Sequence, residues 1–193
     1  MKFGSVPLAE ATGAYLAHAV QAGGVRLKKG TCLGGPELAL ISAAGIAHVI
    51  VARMEPGDIG EDAAATRLAS IAAHPSVRLA NAATGRVNIH AENDGLFRVN
   101  KPVIDAINRI DPSITIATLG DYASVTRGQM VATVKLIPFA VPQAKLDAAI
   151  AAAKDCVPPL LHVAPWAAKQ VGLIATALPS LKPEIMDKTA RVL

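Results

Sequence analysis

The chain has 193 residues, 52% of them hydrophobic but only 3% aromatic, with a mean hydropathy of +0.38. That is enough apolar material for a real core and excludes a disordered chain. Nineteen Lys and Arg against fifteen Asp and Glu give a net charge of +4, yet the longest cationic run is Lys28-Lys29, so the excess suits an anionic small molecule rather than nucleic acid, whose footprint needs clustered charge.

The start MKFGSVPLAEATG lacks the apolar core of a secretory signal, and no uncharged run of about eighteen apolar residues occurs. No membrane partner and a cytoplasmic setting are therefore expected. Cys32 and Cys156 have no C-x-x-C or paired-His context and read as reduced thiols.

In chain order, the first twenty residues are expected to be mostly β, closed by a Gly23-Gly24 turn. VRLKKGTCL (25–33) reads as a strand with Gly30 at a turn. GGPELALISAAG reads as a helix, with Pro36 and Glu37 in its first turn and Gly45 at its end. HVIVARM is a buried strand by its β-branched run. Strand, helix and strand with such short joints suggest a parallel pair with a crossover.

A second helix is expected from Asp58 or Gly60 to before Pro75. Three strand-like pieces follow, with Asp94-Gly95 as a hairpin signal between VNIHA and LFRV. KPVIDAINRIDP repeats the helix scheme, with Pro102 near the start and Val103, Ile104, Ile107 and Ile110 as its apolar positions. ITIATL and ASVTRGQMVATVKLIPFAV read as strands, the latter a pair joined at RGQ, and PQAKLDAAIAAAKD as an alanine-rich helix. CVPPLLHVAPWAAK holds three of the thirteen prolines and reads as a connector, followed by an apolar strand, a loop and a helix from near Pro183. A lone strand and helix cannot bury their apolar faces, so this end reads as the opening of another unit.

No nucleophile elbow, Walker loop, G-x-G-x-x-G or H-E-x-x-H is present, and His18, His48, His74, His90 and His162 have no metal-ligand spacing. TGRVN, Thr84 to Asn88, combines a turn that would expose backbone N–H groups with the guanidinium fork of Arg86, which suits phosphate or carboxylate; a plain hairpin turn explains it as well. RGQMVATVK places Lys135 inside an apolar strand rather than at the hairpin tip of a lipoyl-type carrier. Glu55, Asp58, Glu61 and Asp62 around Gly57 and Gly60 offer oxygen ligands for magnesium, or simply a solvated turn before a helix.

LKKGTCLGGPELALISAAGIAHVIV and VPLAEATGAYLAH resemble segments of molybdopterin molybdenumtransferases. VGLIATALPSLKPEIMDKT resembles the first strand, loop and Asp-containing helix of the molybdopterin-binding domain shared with molybdopterin adenylyltransferases. TGRVN, INRIDPSITIATL and GQMVATVKLIPFAV resemble bacterial molybdopterin-binding proteins in which such a region precedes a nucleotidyltransferase-like domain. The resemblance implies molybdenum-cofactor biosynthesis or handling, with molybdopterin, a pterin phosphate, as ligand and magnesium as a possible companion. It carries Thr176, Asp187 and Lys188 as binding residues, beside Thr84, Gly85, Arg86 and Asn88 of the TGRVN turn.

Two motifs of that family are missing: its Thr-Gly-Gly-x-Ser phosphate loop, and the Gly-Asp-Glu after its first strand, where ATALPS stands. The chain is therefore expected to contribute ligand contacts and assembly, with a homodimer possible, rather than complete catalysis; any enzyme it belongs to would be a molybdopterin-directed transferase. A non-catalytic structural or oligomerisation module is the alternative. The expected fold is mixed α/β (α+β): a small βαβ-type body with hairpins over 1–157, a proline-rich connector over 158–169, and the first strand and helix of a molybdopterin-binding-like domain over 170–193.

Overall fold

A computed structural model describes residues 1–176 and 182–192. The first unit runs β1 (Lys2–Pro7), a 3₁₀ turn at Leu8–Glu10, β2 (Tyr15–Leu16), β3 (Val20–Ala22), β4 (Val25–Leu27), α1 (Gly35–Ala43) and β5 (His48–Arg53). Gly23 and Gly24, at φ +56° and +80°, close the β3–β4 hairpin; both positions need the left-handed conformation that glycine adopts freely. Helix α1 starts where Pro36 and Glu37 predict, and the Glu37 carboxylate accepts the Gly34 N–H at 3.0 Å. Leu16, Leu33, Ile41, Val49 and Val51 form the centre of a small core confined to this unit.

The second unit runs β6 (Asp58–Gly60), α2 (Glu61–Ser70), β7 (Val77–Leu79), β8 (Arg86–Ala91), β9 (Gly95–Val99), α3 (Lys101–Ile110), β10 (Ile114–Thr118), β11 (Ser124–Val125), β12 (Met130–Leu136), β13 (Ala140–Pro142), α4 (Gln143–Ala152) and β14 (Leu161–Pro165). A four-stranded sheet, β10-β12-β8-β7, and a three-stranded sheet, β11-β9-β14, share one larger core with α2, α3 and α4. Alternation along β8 and β12 sends Val87, Ile89, Val134 and Leu136 into that core and leaves Arg86, Asn88, Thr133 and Lys135 on the opposite face. A final helix, α5 (Pro183–Val192), follows. The chain is thus a mixed α+β protein with small antiparallel sheets.

The expected parallel crossover is not formed. Every pairing among the described strands is antiparallel: β5 inserts between β1 and β2, while β4 pairs with β3. The two-glycine turn commits β4 to its hairpin neighbour, and six-residue β1 gives β5 a longer partner. Asp94-Gly95 is not a hairpin turn either, because β8 and β9 belong to different sheets. Asp94 Oδ1 accepts the Arg127 N–H at 2.7 Å. Gly95 is needed for close approach, since a Cβ there would fall inside the Ala164 carbonyl. Similarly, the strands flanking RGQ part company, β11 joining β9 and β12 joining β8 and β10.

The expected connector contains strand β14, paired with β9 from Leu161↔Val99 to Pro165↔Gly95, and buries Leu160, Leu161 and Val163 in the larger core. Its proline is tolerated because β14 is an edge strand, where a missing N–H removes no ladder bond. Residues 170–176, expected as a strand, take no regular structure; Val171 and Ile174 are 87% and 93% exposed. Among the described residues no strand pairs with this stretch, so burial cannot fix an extended ladder there. The rest of the expected loop, 177–181, lies outside the described residues.

Candidate anion-binding cleft

The strand pair β6–β13 brings Phe139 to the start of α2, where the Glu61 N–H donates to the Phe139 carbonyl at 2.8 Å. This satisfies one of the orphan donors of the first helical turn. On the other side of α2, Asp62 Oδ1 accepts the Gly85 N–H at 2.7 Å. The Gly85 carbonyl in turn accepts the Leu136 N–H at 2.8 Å, which locks the 84–85 turn between α2 and the end of β12. A Cβ on Gly85 would lie 2.7 Å from the Leu136 oxygen and 2.9 Å from Glu61 Oε2.

Both turn residues have positive φ, Thr84 at +51° and Gly85 at +70°. Glycine adopts this freely, but a β-branched residue is an outlier there, strained by about 1–3 kcal/mol. Such strain persists only where the surroundings over-determine the backbone, and it clusters at binding sites.

Between the two units lies a cavity of about 360 Å³. The first unit contributes Lys29 and Gly30; the second contributes Glu61, Thr84, Arg86, Lys135, Leu136, Ile137 and Phe139. A second cavity of about 260 Å³ adjoins it through Gly30, Glu61 and Phe139 and extends to Tyr15, Met54 and Asp62. The Lys29 ammonium sits 5.0 Å from the centre of the Phe139 ring, a cation–π contact across the two units.

The charge arrangement is unusual for two neighbouring strands. Arg86 and Lys135 are direct cross-strand partners, and like charges opposite one another destabilise a sheet. Neither they nor Lys29 forms an ion pair among the described residues. An anion lying across the pair would relieve the repulsion and accept charge-assisted hydrogen bonds. Among the described residues Glu61 is the one carboxylate lining this cavity. Burial, helped by the neighbouring Asp62, holds its pKa above the ordinary value, while Lys29 opposes the shift.

Of the residues expected at a binding site, Thr84 and Arg86 line the cleft, and Gly85 supports it from behind. The expectation that the turn offers free backbone N–H groups is corrected for two of them: Gly85 donates to the Asp62 carboxylate, and Arg86 donates to the Ala83 carbonyl at 3.1 Å. Charge must therefore come from side chains. Asn88 follows Arg86 on the same face of β8, where its Oδ1 accepts from the Thr133 hydroxyl at 3.0 Å. Thr176 lies in the exposed stretch after β14, and Asp187 and Lys188 lie exposed on α5; none of these three lines the cleft.

Lys135, Phe139 and Glu61 carry more of the site than the sequence suggested. Lys135 looked like a strand interior, and only its pairing with Arg86 reveals its place. The acidic cluster is divided: Glu55 and Asp58 face the Met1 ammonium at 2.9 and 2.8 Å, Asp62 holds Gly85, and Glu61 faces the cleft. Among the described residues no group of three or more His, Cys, Asp or Glu side chains is placed to hold a metal ion. Nor is any described helix long and apolar enough to cross a membrane.

Residues 5–53 match a family described as a domain of unknown function (DUF8806). The match coincides with the smaller core, whose members fall between Val6 and Val51. It takes in Tyr15, Lys29 and Gly30 of the cleft, while Met54 directly follows β5 and the other lining residues come from the second unit. No curated protein and no solved structure matches the chain.

Proposed function

We propose that this chain binds a phosphate-bearing small molecule in the cleft between its two units, and that the ligand is a pterin phosphate of the molybdopterin type. The observation that carries the anion reading is the unpaired cross-strand couple of Arg86 and Lys135, with Lys29 facing the same cavity. The pterin identity rests on the sequence resemblance, and the aromatic ring of Phe139 in the lining is compatible with a flat heterocycle.

In this reading the protein serves molybdenum-cofactor biosynthesis or handling in the cytoplasm, supplying ligand contacts and assembly rather than a full catalytic cycle. Any magnesium arrives with the ligand's phosphate, because Glu55, Asp58 and Asp62 are engaged separately and Glu61 alone of that acidic cluster lines the cavity. Arg86 offers a planar fork for two phosphate oxygens and Lys135 a point charge beside it.

The test is a thermal-shift and calorimetric titration of the protein with molybdopterin and, separately, inorganic pyrophosphate. Saturable binding of both, weakened at least about tenfold in Arg86→Ala/Lys135→Ala, is expected from the loss of two charge-assisted contacts. Failure of the wild-type protein to bind either probe would sink the proposal. Binding of pyrophosphate alone would retain the anion site and remove the pterin.

A further inference from the structure

The cleft holds an acceptor that the anion reading leaves unexplained. Glu61 is the first residue of α2, fixed by its backbone bond to Phe139. Its carboxylate packs against Gly85 so closely that a Cβ there would meet both Oε2 and the Glu61 Cβ, at 2.9 and 3.2 Å. Among the described residues no hydrogen-bond donor reaches this carboxylate, whereas the adjacent Asp62 is satisfied by the Gly85 N–H.

An ionised carboxylate has about four lone-pair sites and no donor of its own. Drawing it partly out of water without a protein donor disfavours its charged form, and a cleft built only for anions would be better without it. Its position along both adjoining cavities gives it access to any ligand that spans them. The group that matches a carboxylate is a planar pair of neighbouring N–H donors, meeting its two oxygens side by side as a guanidinium does.

Resting on the anion-cleft reading, we infer that Glu61 reads the 2-amino-4-oxopyrimidine edge of the ligand, accepting the ring N–H and the exocyclic amino N–H while Arg86 and Lys135 take its phosphate. That edge is shared by pterins and guanine nucleotides and is absent from adenine. Phe139 then flanks the ring and Lys29, stacked on Phe139, closes the side nearest the first unit. Lower occupancy of the protonated carboxyl on binding follows, since the new donors favour the charged form.

Four probes separate the possibilities: dihydroneopterin monophosphate, GMP, AMP and inorganic pyrophosphate, each titrated into wild type and Glu61→Gln. Wild type is expected to bind the pterin monophosphate or GMP at least about tenfold more tightly than AMP. Glu61→Gln should lose about that factor for the pterin monophosphate and GMP, and bind pyrophosphate as tightly as wild type or more so. Pyrophosphate binding by the variant also reports that its cleft is folded. Preference for the pterin over GMP, or the reverse, identifies which bearer of the edge is bound. Equal affinity for AMP and GMP, or unchanged pterin binding by Glu61→Gln, overturns this inference while leaving the anion site standing. Absence of binding to all four by wild type overturns both.

Discussion

Asp62 Oδ1 and the Gly85 amide, 23 residues apart in sequence, meet at 2.7 Å and tie the first turn of α2 to the strained turn before β8. This bond sets the height of Thr84 and Arg86 over the cleft. Asp62→Ala leaves a partly buried N–H unpaired and should destabilise the protein by about 1–3 kcal/mol. Pyrophosphate affinity should fall with it, because the turn loses its anchor. Asp62→Asn keeps an acceptor oxygen and should recover most of both losses in urea unfolding and titration; equal damage by the two variants would argue against the anchoring role.

Asn108 braces the free edge of the larger sheet. Its Nδ2 donates to the Ile116 carbonyl at 3.0 Å and its Oδ1 accepts the Ile116 N–H at 2.8 Å, so one side chain of α3 pairs both backbone groups of edge strand β10. Asn108→Ala should cost about 1–3 kcal/mol and open the edge to exchange and association. Hydrogen exchange at the Ile116 amide should quicken selectively, and concentration-dependent scattering should rise.

Strand β14 belongs to the folded body. A chain ending after residue 165 should melt as the full protein does, whereas one ending at 157 removes the buried Leu160, Leu161 and Val163, each worth about 1.5–3 kcal/mol, and should lose its cooperative transition. Gly95→Ala, forced against the Ala164 carbonyl, should destabilise by about 1–3 kcal/mol through the same strand pair. A melting curve for the 157-residue form that matches the full chain would contradict this placement.

His162 makes stability depend on pH. Its pKa lies below the usual 6.5, first because burial disfavours the charged ring, then through His74 and Arg98, with Asp121 opposing. Its ring centre is 5.8 Å from that of His74, and its Nδ1 is buried without a partner. Because the folded state releases the proton more readily than the unfolded chain, this contribution is fully present above pH 6.5 and is lost as pH falls through that value toward the folded pKa. Melting temperature should therefore drop as pH falls below about 6.5, and His162→Asn should flatten that slope. An unchanged slope in the variant would assign the dependence to other groups.

Much of the local structure was legible in the sequence. Pro36 and Glu37 mark the start of α1, Gly23-Gly24 forces a tight hairpin, and the spacing of Val103, Ile104, Ile107 and Ile110 gives α3 its apolar face. Thr84 and Arg86 were also visible as anion-binding candidates. Lys135 was not, because an Arg and a Lys on separate strands become neighbours only once β8 and β12 choose their register. The same gap misread Asp94-Gly95, whose composition fits a turn equally well as a strand start pressed against another backbone.

The sequence by itself determined the helices and the Gly23-Gly24 turn, since these follow from φ preferences, capping and periodicity within a few residues. Only the tertiary structure decided which strands pair, that residues 161–165 complete the core, and that Lys29, Glu61, Arg86 and Lys135 share one cleft. Strand partners are chosen by long-range burial and register, and hydrogen bonding along a ladder is nearly indifferent to which sequence supplies the other side.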